Sequence, residues 1–144
     1  MSVDAKAEIV IERPRQEVSR VVFDPKSDSI WMGWISKSFP QASGLLKKGS
    51  KVNRDGTFLG RKFSANVIVV AAEDETSLKT ASDEPFEMTT KIDLSDSDGG
   101  TLVKIRVQGI VESQYKQPPA VVNRSMTEQL VEDLKRLKKH VELQ

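Results

Sequence analysis

Residues 118–141 read PPAVVNRSMTEQLVEDLKRLKKHV, and this stretch decides the fold. Two prolines suit a first helical turn, whose N–H groups have no partner within the helix, and the basic residues at the other end suit a last turn. Apolar side chains recur at helical spacing within an arc of roughly 120°. They are Val122, Met126, Leu130, Leu134, Leu137 and Val141. The stretch therefore predicts one long amphipathic helix that must cover a sheet.

The middle of the chain predicts that sheet. Apolar and polar residues alternate over residues 51–59, 62–72, 76–82, 86–94 and 101–112, and turn-forming residues separate these segments. The pair Asp55-Gly56 is interpreted as a bulge, because a hairpin turn there would leave two very short strands. The apolar side chains keep to one face, as expected of an antiparallel sheet with its other face in water. The sequence thus predicts an antiparallel meander covered on one side by the C-terminal helix.

The first forty residues predict two more strands and two short helices. Apolar and polar residues alternate over residues 5–13, as in a strand with one face exposed to solvent, and Pro14 ends this strand. The valines of residues 18–22 have the spacing of a short helix, and Ser27 is placed to cap a second one that ends at Trp31. Residues 34–39 are extended. The expected sheet therefore has about seven strands.

Composition limits the functions that fit this chain. Its 144 residues suit one domain, spanning residues 1–144. A formal net charge of +1 gives no general attraction to nucleic acid, and the absence of cysteine excludes disulfides and thiolate chemistry. The N-terminus lacks a signal-peptide pattern, and no window approaches the roughly 20 apolar residues of a membrane span. We therefore expect a cytoplasmic protein with no membrane span and no nucleic-acid partner.

The order of these segments resembles the helix-grip fold of the START/Bet v 1-like superfamily, in particular its SRPBCC or polyketide cyclase/dehydrase branch. Short motifs continue the resemblance along the chain: IVIERPRQEV at residues 9–18, FDP at 23–25 followed by Trp31, Gly49, FLGR at 58–61, GTLV at 100–103 and LKRLK at 134–138. The resemblance implies an α+β fold in which a curved antiparallel sheet of about seven strands grips the C-terminal helix. It also implies a hydrophobic cavity there, which binds lipids, sterols, polyketides or other apolar molecules.

The residues expected to face the helix are candidates for the wall of such a cavity. Periodicity reports burial and not empty space, so the same residues also fit an ordinary packed core. Asn123 and Asp133 are polar positions inside the apolar arc, and a buried polar group needs a partner. Asn123 is either a ligand-orienting amide or a partner for the backbone, whereas Asp133 is interpreted first as a member of a structural ion pair. The ligand-binding candidates are Trp31, Trp34, Phe58, Phe63, Met88, Ile92, Ile105, Val107, Asn123, Met126 and Leu130.

These observations predict a protein that binds or transports a small hydrophobic ligand, rather than an enzyme. Two alternatives stay open: a polyketide cyclase/dehydrase-type or hydrolase-type enzyme that uses the same cavity, and a protein-interaction module of the chaperone-activator kind. If the protein is an enzyme, Asn123 would guide the substrate and Asp133 would be the acid or base. The sequence has no zinc-ligand cluster and no dinucleotide fingerprint, so we expect no metal and no cofactor. We expect a monomer or a homodimer.

Overall fold

A computed structural model of the chain describes residues 2–111 and 115–144. Within them the strands are β1 (Ser2–Ile11), β2 (Ile35–Pro40), β3 (Lys51–Phe58), β4 (Arg61–Glu73), β5 (Ser77–Ser82), β6 (Glu87–Ser97) and β7 (Gly100–Ile110). The helices are α1 (Arg15–Val22), α2 (Asp28–Trp31) and α3 (Pro119–Glu142). The last predicted strand extends to Glu112, which lies outside the described residues.

All seven strands join in one antiparallel sheet, in the order β1-β7-β6-β5-β4-β3-β2. Strands β2 to β7 follow one another as a meander, and β1 pairs with β7 at the far side. Alternate side chains of β4 and β7 are buried, as the sequence predicted, and they form one core with the apolar arc of α3. The curved sheet around a long C-terminal helix, with two short helices after the first strand, confirms the predicted helix-grip fold.

Two hairpin turns differ from the predicted ones: the first is shifted by one residue, and the second is shorter. Leu59 and Gly60 have φ values of 50° and 77°, and Asp98 and Gly99 have φ values of 42° and 83°. Positive φ at both central residues is typical of the type I′ turn, whose twist matches that of the flanking strands. Residues 95–97, which were expected in a turn, therefore continue β6.

Two further expectations about local structure need correction. A 3-10 turn, Pro25–Ser27, precedes α2, and Asp24 caps it by accepting a hydrogen bond from the N–H of Lys26 at 3.0 Å. Ser27, the expected cap of the second helix, makes no capping hydrogen bond with any described residue. The pair Asp55-Gly56 lies within an uninterrupted β3, and the irregularity occurs in the neighbouring strand, between Ile35 and Lys37.

Helix α3 is fastened to the outer edge of β1 by polar side chains. Oδ1 of Asn123 accepts a hydrogen bond from the N–H of Asp4 at 3.0 Å, and Oε2 of Glu142 accepts one from the N–H of Glu12 at 2.7 Å. These backbone groups face away from β7 and would otherwise be open to pairing with another chain. The N-terminal part of the helix is therefore held against β1, and its C-terminal end is held against the residue that follows β1.

Candidate functional site

A cavity lies between α3 and the buried face of the sheet. Its free volume is about 40 Å³, which is room for a few water molecules. The wall is mainly apolar and is built from α1, α2, β2 to β7 and α3. Half-buried side chains of Ser82, Glu84, Met88 and Thr90 lie where the cavity approaches the surface. The fold therefore contains a small apolar interior space with one more polar end.

Most of the predicted wall residues meet at this cavity. Those that line it are Trp31, Trp34, Phe63, Met88, Ile92, Ile105, Val107 and Leu130. Of the other described candidates, Phe58 packs behind the wall against Trp34, with ring centroids 6.0 Å apart, and Met126 is fully buried in α3. Asn123 lies at the edge of β1, where it makes the backbone hydrogen bond that the sequence had left as its alternative role.

Asp133 is the buried titratable group in the cavity wall. Its side chain is 1% exposed, and its Oδ1 accepts hydrogen bonds from the N–H of Gly33 at 2.9 Å and from Nε2 of Gln129 at 2.8 Å. Burial raises the pKa of Asp133 to about 6, although these two donors, Arg136 and the indole of Trp34 oppose the rise. Asp133 does not form the expected ion pair with any described residue. Its hydrogen-bond partners are both neutral donors.

Three polar atoms of the wall have no hydrogen-bond partner within the described part of the chain. They are Oδ2 of Asp133 and the indole nitrogens Nε1 of Trp31 and Trp34. A buried polar group without a partner costs free energy, so such atoms are expected to bind water or a ligand. The residues of this mainly apolar wall therefore include one acceptor and two donors that are unpaired within the described part of the chain.

A second buried carboxyl, Asp28, supports the wall from behind. It is fully buried, and its Oδ2 accepts hydrogen bonds from Nε of Arg54 and from Oγ of Ser38, both at 2.8 Å. Burial raises the pKa of Asp28, and the charge of Arg54 opposes this rise. Arg54 itself lines the cavity. The cavity wall thus contains a cation that already has a buried counter-ion.

Sequence reasoning missed the pair of Asp28 and Arg54, although a signal for each was present. Arg54 has the same strand parity as Val52 and Phe58, which are buried, so its side chain had to point inward. Asp28 lies three residues before the buried Trp31, on the same face of a short helix. Thr80 in β5 and Thr90 in β6 are paired directly across the two neighbouring strands, and both line the cavity.

The described residues contain no group of three or more His, Cys, Asp or Glu side chains that could hold a metal ion. In the same part of the chain, no helix is long and apolar enough to cross a membrane. The wall residues of the cavity can supply apolar contact, hydrogen bonding and proton transfer by Asp133.

Solved structures share this fold at low sequence identity. A START superfamily protein from Mycobacterium smegmatis matches 97% of this chain and 97% of its own, with a TM-score of 0.81 and 15% identity. Ara h 8.0201 matches over 100% of both chains, with a TM-score of 0.74 and 13% identity. The major latex-like protein 151 from Panax ginseng matches 96% of this chain and 97% of its own, with a TM-score of 0.74 and 14% identity.

No family model matches the sequence, and no curated protein matches it closely enough to identify a relative. At these identities the structural matches establish the fold and leave the activity open. The chain has the helix-grip fold of the START/Bet v 1-like superfamily, as the sequence predicted.

Proposed function

We propose that the protein binds a small hydrophobic ligand in the cavity between the sheet and α3. The observation that carries the proposal is a mainly apolar interior space whose wall residues have buried polar atoms without partners among the described residues. Apolar surface supplies affinity in such sites, and a few fixed polar groups supply orientation. The same fold in START superfamily proteins supports this choice, since the superfamily resemblance implies binding of apolar molecules.

The size of the cavity sets a condition on binding. A pocket for a drug-sized ligand has a volume of about 300–1,000 Å³, whereas the free volume here is about 40 Å³. Side chains must therefore move when a ligand enters. Met32 and Met88 line the wall, and methionine repacks readily because its side chain is unbranched and flexible. Ligands of one or two rings fit this condition better than a sterol.

A pair of matched variants tests the proposal. Thr90 and Thr89 are neighbours in β6, but Thr90 lines the cavity whereas Thr89 lies on the opposite face of the sheet. The change Thr90→Leu fills the cavity, and Thr89→Leu adds the same volume outside it. Binding of the neutral probe N-phenyl-1-naphthylamine, followed by its fluorescence, should weaken at least fivefold in Thr90→Leu and stay unchanged in Thr89→Leu.

Two outcomes would contradict the proposal. If the wild-type protein takes up no apolar probe, the cavity is only a packing defect. If both variants bind the probe as the wild type does, the ligand site lies elsewhere. Native mass spectrometry of protein purified from its own source adds an independent measurement, because a bound apolar molecule would appear as a defined mass increment.

A second candidate function is a polyketide cyclase/dehydrase-type enzyme. The observation that favours it is the carboxyl of Asp133, a residue of the cavity wall, because its pKa is raised to about 6 and one of its oxygens has no partner among the described residues. A group with a pKa near the working pH is suited to general acid–base catalysis. In a dehydration, the carboxylate would take a proton from the carbon next to a carbonyl, and the hydroxyl on the following carbon would leave as water after it receives that proton.

The enzyme hypothesis is tested with a small aromatic β-hydroxy ketone, whose dehydration is followed by the absorbance of the conjugated product. Wild-type protein should accelerate dehydration with an inflection near pH 6, and Asp133→Asn should abolish the acceleration. Unchanged turnover in the variant would remove Asp133 from any such mechanism. Probe binding without turnover would favour the binding protein.

A further inference from the structure

We infer that the ligand carries a hydroxyl group, which binds between the carboxyl of Asp133 and the indole N–H of Trp34. The inference rests on the proposed function, since it assigns the polar end of the molecule that the cavity would take. Two atoms carry it, an acceptor and a donor. Both belong to residues of the cavity wall, and neither has a hydrogen-bond partner among the described residues.

The acceptor, Oδ2 of Asp133, is fixed in position. The other oxygen of the same carboxyl accepts hydrogen bonds from Gly33 at 2.9 Å and from Gln129 at 2.8 Å. These bonds hold the plane of the carboxyl, so Oδ2 cannot turn to share the same donors. The side chain is 1% exposed, so bulk solvent does not reach it. Asp133 lines the cavity, so we expect a donor to approach Oδ2 from that space.

The donor, Nε1 of Trp34, is held by aromatic packing. The ring of Trp34 lies against Phe58 and Phe63, with centroid distances of 6.0 Å and 5.9 Å. Trp34 is 8% exposed. Its indole N–H lies near enough to Asp133 to lower the pKa of that carboxyl, but Nε1 makes no hydrogen bond with any described residue. The donor and the acceptor therefore lie close together and both stay available.

A hydroxyl group serves this pair better than other small polar groups. Its oxygen accepts the indole N–H while its proton is donated to the carboxylate, whereas a carbonyl or an ether only accepts and an ammonium group only donates. A water molecule can bridge the same atoms before a ligand binds, and the hydroxyl of a ligand would take its place. Arg54 gives no reason to expect an anionic ligand instead, because its charge is already paired with the buried Asp28 at 2.8 Å.

The test compares three molecules of one shape: 2-indanol, 2-indanone and indane. At pH 8 the carboxylate of Asp133 can only accept hydrogen bonds. Titrations are followed by the indole ¹⁵N–¹H resonance of Trp34, which is assigned with a Trp34→Phe variant. The wild-type protein should bind 2-indanol at least about tenfold more tightly than the other two, since each of those leaves a buried polar atom unpaired. A downfield shift of the Trp34 indole proton should accompany binding.

The variant Asp133→Asn provides the decisive comparison. Gly33 and Gln129 both donate to Oδ1, so the amide must keep its oxygen there and place its NH₂ group where Oδ2 was. The cavity would then present two donors, and the preference for 2-indanol over 2-indanone should disappear or invert. Asn123→Ala, which changes a residue outside the cavity wall, should keep the wild-type preference.

Each outcome decides between the two claims. Equal binding of all three molecules to the wild type would overturn the hydroxyl inference and leave the proposed function standing. Preference for 2-indanol that persists in Asp133→Asn would overturn the assignment to Asp133. Absence of binding by all three molecules would overturn the proposed function together with the inference.

Discussion

The substitution Asp133→Asn should make the protein more stable at neutral and alkaline pH. The carboxyl of Asp133 is buried without a cationic partner in direct contact among the described residues, and its pKa is raised from 3.8 to about 6. The folded protein therefore holds the proton more tightly than the unfolded chain. Asparagine has the same shape and carries no charge, so the variant avoids the cost of ionising a buried group.

The magnitude follows from the difference between the two pKa values. One pH unit corresponds to about 1.4 kcal/mol, so a rise from 3.8 to about 6 corresponds to about 3 kcal/mol. Because the pKa of the folded state is raised, the wild type has its full stability below the unfolded value and loses it as pH rises through about 6. The Asp133→Asn variant has no ionisable group at this position, so its stability does not fall in this way. Its advantage should therefore grow by about 2.5 kcal/mol between pH 4 and pH 8, because pH 4 already lies just above the unfolded pKa of 3.8.

Urea denaturation monitored by tryptophan fluorescence at several pH values measures this change. All other titrating groups, including Asp28, are common to both proteins and cancel in the difference. A control is Glu132→Gln, because Glu132 lies beside Asp133 in α3 but is exposed and pairs with Lys135 at 3.4 Å. This control should show little dependence on pH relative to the wild type. A difference between wild type and Asp133→Asn that is constant with pH, or that grows toward acid, would refute the reasoning.

Three further substitutions test the supporting structure. Arg54→Met should destabilise the protein by about 3–5 kcal/mol at pH 7 in a thermal melt, because it leaves the charge of Asp28 buried without a counter-ion. Adding Asp28→Asn to this variant should restore part of the lost stability. Gly56→Ala should cost about 2 kcal/mol or more in urea denaturation, because a methyl group there overlaps the carbonyl oxygen of Trp34. Asn123→Ala should lower the free energy of unfolding by about 1 kcal/mol, because the hydrogen bond to β1 is lost, and it should leave probe binding unchanged. Weaker probe binding would show that the edge of β1 shapes the cavity.

The sequence predicted the layers of this fold because periodicity reports which side of an element is buried. The apolar arc of α3 and the one-sided strands were enough to place the helix against the sheet. Turn boundaries were less accurate where a two-residue turn sufficed: Asp98 and Gly99 close the hairpin, so the polar residues before them remain in β6. Local composition marks a turn region, but backbone geometry decides its length.

The candidate site was predictable in its apolar part and less so in its polar part. Burial of Asp133 followed from its position in the apolar arc, but its partner Gly33 is 100 residues away in sequence, and periodicity contains no information about such contacts. The inward direction of Arg54 could be read from strand parity, whereas its pairing with Asp28 depends on how α2 packs on β3. The cavity volume depends on packing at the scale of single methyl groups, which sequence patterns do not resolve.

The attachments of α3 indicate how a ligand would reach the cavity. Asn123 holds its first turns to β1, Glu142 holds its last turn to Glu12 just after β1, and Asp133 holds its middle to Gly33. Lifting the helix would break all three contacts at once and expose its apolar arc, which costs more than moving a few side chains. Apart from Arg54 in β3, which is paired with Asp28, the half-buried residues of the cavity lie at β5, at β6 and in the turn that joins them, and they include the flexible Met88. We therefore expect access beside this hairpin, with the polar pair of Asp133 and Trp34 as the point where the ligand is finally oriented.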